Sequence, residues 1–148
     1  MTSYETRRFE GKSAFRDAFQ VRHDVFVEEQ GVPEDVELDG FDEQATHFVI
    51  YETDTQRPVA TARIRYVDRN TAKAERVAVR SAYRGEGLGR RLMERLEADA
   101  RDRGCSTVEL HAQTAVQAFY ETLGYDTVSD EFEEAGIPHV EMEKQLTA

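Results

Sequence analysis

Three glycines in five residues, Gly85, Gly87 and Gly89, stand between a β-branched run, Val77-Ala78-Val79, and a leucine repeat, Leu88, Leu92 and Leu96. The chemistry this spacing offers is anion binding. A strand that turns through glycines into a helix aims several backbone N–H groups and a helix N-terminus at one point, and phosphate binds at such points. Glycine is required because a Cβ would hold the anion off the backbone or forbid a positive φ. Charge points the same way. Between Arg76 and Arg91 five arginines (Arg76, Arg80, Arg84, Arg90, Arg91) face one acid, Glu86. That local balance of +4 sits in a chain of net charge −11, so the remainder carries −15. The candidate contacts are Arg84, Gly85, Glu86, Gly87, Leu88, Gly89 and Arg90.

The spacing separates this loop from two other phosphate binders. No Lys-Ser or Lys-Thr follows the glycines, so it is not a Walker A loop. The G-x-G-x-x-G of dinucleotide-binding folds does not fit either. R-x-x-G-x-G does, as Arg84, Gly87 and Gly89. The four histidines (His23, His47, His111, His139) and the single Cys105 form no metal-ligand spacing, so no metal is expected. No G-x-S-x-G nucleophile elbow is present.

The elements that must position the loop follow from periodicity. Tyr4 to Phe9 reads as a strand ended by Gly11. Ser13 can cap a helix running to about Glu29, with Phe15, Phe19 and Phe26 on one face and Phe15 and Phe19 expected in the core. An acidic loop follows (Glu34, Asp35, Glu37, Asp39, Asp42, Glu43). His47 to Tyr51 and Val59 to Val67 are strands, the second with Ala60, Ala62, Ile64 and Tyr66 on one face and Thr61, Arg63 and Arg65 on the other. With the Glu75 strand they make three antiparallel strands ahead of the loop. Gly104 can close the leucine helix. Thr107 to His111 is a further strand, and Ala115, Ala118, Phe119 and Leu123 mark a second amphipathic segment before the last strands.

With Val77-Ala78-Val79 ahead of it, the R-x-x-G-x-G loop resembles the acetyl-CoA motif of the GNAT superfamily of N-acetyltransferases. Ala118 to Tyr125 resembles the superfamily's F-Y-E-x-x-G-F block. Two strings resemble the ElaA-like branch: Arg22, Val25, Phe26, Val27, Glu29 and Gln30, followed by Asp39, Asp42 and His47, and then Gly136-Ile137-Pro138-His139 with Met142. The resemblance spans nearly the whole chain. It implies an α/β fold of the α+β type in one domain over residues 1–148. The sheet would be mixed and mostly antiparallel, with six to seven strands splayed at the CoA site and helices on both faces.

The same resemblance implies acetyl transfer from acetyl-CoA to a primary amine, on a small molecule or a peptide N-terminus, in a ternary complex. The pyrophosphate would sit on the loop amides, and Val77, Ala78 and Val79 would pair with the pantetheine arm. Gln113 stands where the superfamily usually has an Asn that touches pantetheine. Tyr120 stands at the usual proton donor to the departing thiolate. Glu75 shares a strand face with Val77, near where several members carry a base; the alternative is an ion pair with Arg63 or Arg65. A carboxylate of pKa ~4.3 is a poor base for an amine near ~10 unless burial raises it or a water relays the proton. Lys73, His47 and His139 are further candidates. The segment between the first two strands would line the acceptor side, which brings in Arg22, Phe26, Gln30 and His47, with His139 from the C-terminal string. Arg22 either holds a substrate carboxylate or pairs with Asp39 or Asp42.

Composition narrows the class. A chain of 148 residues can bury a core, and no run of about 18 apolar residues exists to span a membrane. The N-terminal Met-Thr-Ser-Tyr-Glu lacks a signal peptide's features, and one cysteine suits a reducing cytoplasm. The net charge opposes nucleic-acid binding. A monomer or homodimer is expected. A CoA-binding sensor without turnover is an alternative, which a binding partner and silence toward an amine panel would support. An acyl-homoserine lactone synthase is a second, but those enzymes keep a Trp and this chain has none. Only three lysines (Lys12, Lys73, Lys144) accompany thirty acids, a balance that resembles proteins of salt-loaded cytoplasms. Salt screens such self-repulsion, so the melting temperature should rise from dilute buffer to molar salt. A flat melting curve series would remove the halophilic reading.

Overall fold

The structure, a computed structural model, describes residues 2–11 and 15–146; the expected Ser13 cap lies outside them. The apolar runs form one sheet in the order β1 (Tyr4–Glu10), β2 (Thr46–Glu52), β3 (Arg57–Tyr66), β4 (Thr71–Val79), β5 (Thr107–Gln113), β8 (Ile137–Gln145) and β6 (Asp126–Thr127), with β7 (Phe132–Glu134) on β8. β4 and β5 run parallel, and every other pair is antiparallel. The expected mixed, mostly antiparallel α/β architecture is found, with eight strands.

Helices cover both faces because β2 and β3 are apolar on both. Phe48, Ile50, Ala60, Ala62 and Ile64 pack with Leu88, Leu92, Met93, Leu96 and Ala100 of α3 (Leu88–Asp102). On the other face Val49 and Tyr51 meet Ala18 of α1 (Phe15–Arg22), and Val21 meets Ala78 of β4. The buried side of α1 is therefore Ala18, Val21 and Arg22 rather than the aromatic row. Phe15 and Phe19 are half-buried, 5.8 Å apart, and reach His47 and His23 at the edge. The helix does not stay α-helical to Glu29: His23–Glu29 is π-helical, with Gln30 N donating to Val25 O at 3.1 Å. The wider turn resets the phase. Val25 stays buried while Phe26, Glu29 and Gln30 all face a cleft. Two short helices, α2 (Glu34–Glu37) and α4 (Gln117–Thr122), complete the set.

The polar face of β3 is buried too, and of the two alternatives for Arg22 the ion pair with Asp42 is the one found, with His47 enclosed beside it. Arg22 and Arg63 are wholly enclosed. Arg22 donates to Glu37 at 2.7 and 2.9 Å and to Asp42 at 2.6 Å. Arg63 donates to Asp39 at 2.7 Å, Glu75 at 2.8 Å and Asp42 at 3.0 Å. Arg76 closes the group on Glu37 at 2.8 Å. The acidic loop is thus folded onto a floor of arginines instead of being solvated. All three guanidinium nitrogens of Arg22 already donate to Glu37 or Asp42. His47 lies with Nε2 against the Asp42 carbonyl at 3.0 Å and Nδ1 without a partner among the described residues, and it is not part of the cleft lining.

Burial alone would raise the carboxyl pKa of Asp39, Asp42 and Glu75, but the guanidiniums of Arg63, Arg22 and Arg65 outweigh it and hold all three low. Burial pushes His47 down, so the folded ring is neutral. In each case the unfolded chain binds protons more readily, so stability is present at high pH and lost on acidification. The loss starts below about pH 6.5 through His47 and steepens below about pH 4 through the carboxyls. Melts between pH 8 and pH 3 should show both stages, and His47→Gln should remove the first. A melting temperature constant from pH 6.5 to 5 would contradict this.

Candidate active site

The cleft exists because two neighbouring strands part. β4 and β5 pair from Thr71 and Thr107 only as far as Ala74 and Leu110, although β4 continues to Val79 and β5 to Gln113. Beyond the fork β4 leans on Val21 and Val25, while β5 stays with β8, Gln113 opposite His139. A bulge sharpens the divergence. Thr61 pairs with Ala78 but Arg63 with Glu75, so Arg76 and Val77 together oppose Ala62, with Arg76 at φ 55°. Such a bulge interrupts the ladder and leaves backbone groups unpaired. The resulting cleft is about 1070 Å³ and includes Val77, Ala78 and Val79 on one wall and His111, Ala112 and Gln113 on the other.

The glycine loop closes one end of the cleft. Gly85 and Gly87 take φ 84° and 78°, the left-handed region, and Gly87 is the N-cap of α3. Among the described residues no side chain caps that helix, which leaves its first N–H groups without a side-chain acceptor. Gly89 is needed for packing instead, since a Cβ there would come within 3.1 Å of the Phe119 ring. Arg84, Leu88 and Arg90 line the same end. Arg84 is bound on both sides, donating to Val79 O at 3.0 Å and twice to Glu29 at 2.7 Å. The Glu86 side chain is not part of the cleft lining. Its carboxylate turns away from the cleft and accepts the Tyr4 hydroxyl.

Tyr120 stands in the cleft wall on α4, its ring edge-on to Phe119 and Tyr125. Among the described residues nothing hydrogen-bonds its hydroxyl, and burial raises its pKa. Phe26, Gln30, Gln113 and His139 also line the cleft. Gln30 and Gln113 bridge it with paired amides, at 2.9 and 3.3 Å. His139 Nδ1 donates to Ile137 O at 2.7 Å.

Glu75 lines the cleft but is an ion-pair partner. It accepts from Arg65 at 2.6 Å and from Arg63 at 2.8 Å, and its depressed pKa makes it a weak base. Several lining residues had no signal in the sequence. Phe41 lies under Arg65, 4.0 Å from its guanidinium. His111 donates from Nδ1 to Glu134 at 2.9 Å. His111 shares a strand face with Gln113, which spacing could have told; that β7 carries Glu134 to it could not be read locally. Among the described residues no three His, Cys, Asp or Glu side chains are grouped to hold a metal ion.

The sequence profile of the acetyltransferase (GNAT) domain matches residues 14–146. The N-acetyltransferase YjcF of Bacillus subtilis, itself uncharacterised, is 42% identical over 130 residues, covering 87% of this chain and 91% of that one. Escherichia coli protein ElaA is 35% identical over 131 residues, 86% of this chain and 84% of ElaA. Its crystal structure superposes with a TM-score of 0.81 over 97% of this chain and 99% of that chain, at 32% identity. An acyl-CoA N-acyltransferase from Pseudomonas aeruginosa superposes with a TM-score of 0.80 at 29% identity, covering 97% and 99% of the two chains. Forked strands, glycine-capped helix and sequence agree: the chain belongs to the GNAT acetyltransferase family, in the branch that contains ElaA, and is an acyltransferase.

Proposed function

We propose that the protein transfers an acetyl group from acetyl-CoA to a primary amine, on a small molecule or a peptide N-terminus, in a ternary complex and in the cytoplasm. The observation that carries this is the fork. It exposes unpaired strand backbone between an uncapped helix N-terminus at one end and an unpartnered phenol in its wall. The pyrophosphate is held by the amides from Gly85 to Arg90, with Arg84 alongside. The pantetheine amides complete the ladder that β4 abandons at Val77, Ala78 and Val79. Backbone N–H groups at the bulge receive the oxyanion that forms when the amine attacks the thioester carbonyl. Tyr120 then gives its proton to sulfur as the tetrahedral intermediate collapses, when sulfur is most basic. Its burial, which raises the phenol pKa, keeps the proton in place until that moment.

Tyr120→Phe keeps the ring and removes that proton. Turnover should fall by about 10²-fold with acetyl-CoA affinity unchanged by calorimetry. Turnover within a few-fold of wild type would make Tyr120 structural. Gly87→Ala adds a methyl into open space at φ 78°. It should cost about 1–2 kcal/mol of fold stability through backbone strain and weaken acetyl-CoA binding at least tenfold. Unchanged affinity would remove the loop from the donor site. Gly89→Ala pushes Phe119 toward Tyr120, so its effect should appear in kcat as well as in binding.

A further inference from the structure

With Glu75 bound to two arginines, the proton of the attacking amine needs another acceptor, and the cleft holds an arrangement suited to it. His111 lies one residue past Leu110, where β5 parts from β4, on the face that carries Gln113. Its Nδ1 is 2.9 Å from Glu134 Oε1, and an ionised carboxylate only accepts, so Nδ1 carries the hydrogen. Nε2 keeps its lone pair, with no partner among the described residues. Phe132 meets the ring edge-on at 5.1 Å and stacks on His139 beyond it. His139 Nε2 is 3.7 Å from the other Glu134 oxygen. His111 and Glu134 both line the cleft.

We propose that His111 is the catalytic base, taking the acceptor's ammonium proton on Nε2, and that Glu134 is the positioning residue that fixes its tautomer and steadies the imidazolium. This rests on the acetyl-transfer reading above. The ammonium gives one proton to Nε2, and the freed nitrogen lone pair forms the C–N bond as the carbonyl electrons move to oxygen. Collapse of the intermediate breaks the C–S bond, and sulfur takes the Tyr120 proton. The nitrogen's surplus proton restores the phenol through water, and His111 releases its own to solvent. One proton is set free per acetyl transferred. The hydrogen bond from His111 holds the Glu134 carboxylate below its usual range, so it stays an acceptor. The sheet face around His111 carries Arg63 and Arg65 from β3, Lys73 and Glu75 from β4, Glu109 from β5, and His139, Glu141 and Glu143 from β8. Glu75 is taken up by Arg63 and Arg65, and the remaining Glu109, Glu141 and Glu143 outnumber Lys73, which favours an arriving ammonium.

The test uses whichever aliphatic amine, amino acid or dipeptide the wild-type protein acetylates fastest, followed by thiol release across pH. His111→Gln should lower kcat at pH 7 by about 10²-fold, lose the acidic limb of the kcat profile and keep acetyl-CoA affinity. Added imidazole should restore turnover to His111→Ala. Glu134→Gln, at an exposed position, should move the acidic limb to lower pH with a smaller loss of kcat. A His111→Gln profile within a few-fold of wild type, or an unmoved limb in Glu134→Gln, overturns the assignment. A wild-type protein that binds acetyl-CoA and acetylates no amine overturns the acetyl-transfer reading as well, which distinguishes the two failures.

Discussion

Everything at the site depends on two strands that stop pairing. A parallel pair inside a sheet is normally continuous, because an unpaired backbone group away from water costs as much as a lost hydrogen bond. Here β4 and β5 part after Ala74 and Leu110 because their ends have different owners. Ala78 is claimed by Val21 and Val25, and Ala112 by β8 opposite Val140. The bulge at Arg76 and Val77 gives β4 the bend it needs. A ligand arm with its own amides can recover the missing ladder, so the fork is both a cost to the fold and a template for a pantetheine-like chain.

The arginine floor beneath the acidic loop is the second constraint, and it decides roles. Buried ion pairs contribute little net stability, because desolvation offsets attraction, yet removing one partner leaves an unpaired charge at about 3–5 kcal/mol. The floor therefore fixes where the loop sits more than how firmly the protein folds. Arg63 joins β3, β4 and the loop at one point through Asp39, Asp42 and Glu75. That junction holds Phe41 and Val36 at the rim of the cleft and takes Glu75 out of proton transfer. Arginine suits this junction, since its planar fork serves several carboxylates at once where lysine offers a point charge.

Whatever rested on local spacing could be read from the chain. The glycine turn, the leucine helix and the hairpins around β3 are set by neighbours in sequence, and so was Tyr120's place after β5. What escaped was set by register. Arg22 finds Glu37 fifteen residues away only after the loop folds back, and Glu86 finds Tyr4 across 82 residues only once the sheet has formed. Phe15 and Phe19 have core spacing, yet the small Ala18 and the aliphatic Val21 are what fit under the helix. The π-helical turn leaves no mark in apolar periodicity, and it brings Gln30 to Gln113 across the cleft. The His111–Glu134 pair needs the β7–β8 pairing, which three residues of strand cannot announce.

The charge of the loop also takes a different meaning in three dimensions. In the sequence, five arginines against one acid suggest a free basic island that draws phosphate. In the fold Arg76 is bound to Glu37 and Asp39, Arg80 to Asp24, and Arg84 to Glu29. Acids remote in sequence have neutralised most of the island. Of the remaining two, Arg91 meets the Tyr4 carbonyl at 3.4 Å and Arg90 keeps a 4.0 Å approach to Glu94; Arg90 is the one that lines the cleft, its exposed guanidinium available there. Attraction of an anion then falls chiefly to the uncapped amides after Gly87, whose strength does not depend on a side chain staying charged or free. That division fits a chain with so large an acid excess: where surface charge is screened or spoken for, a backbone cradle still recognises phosphate by geometry.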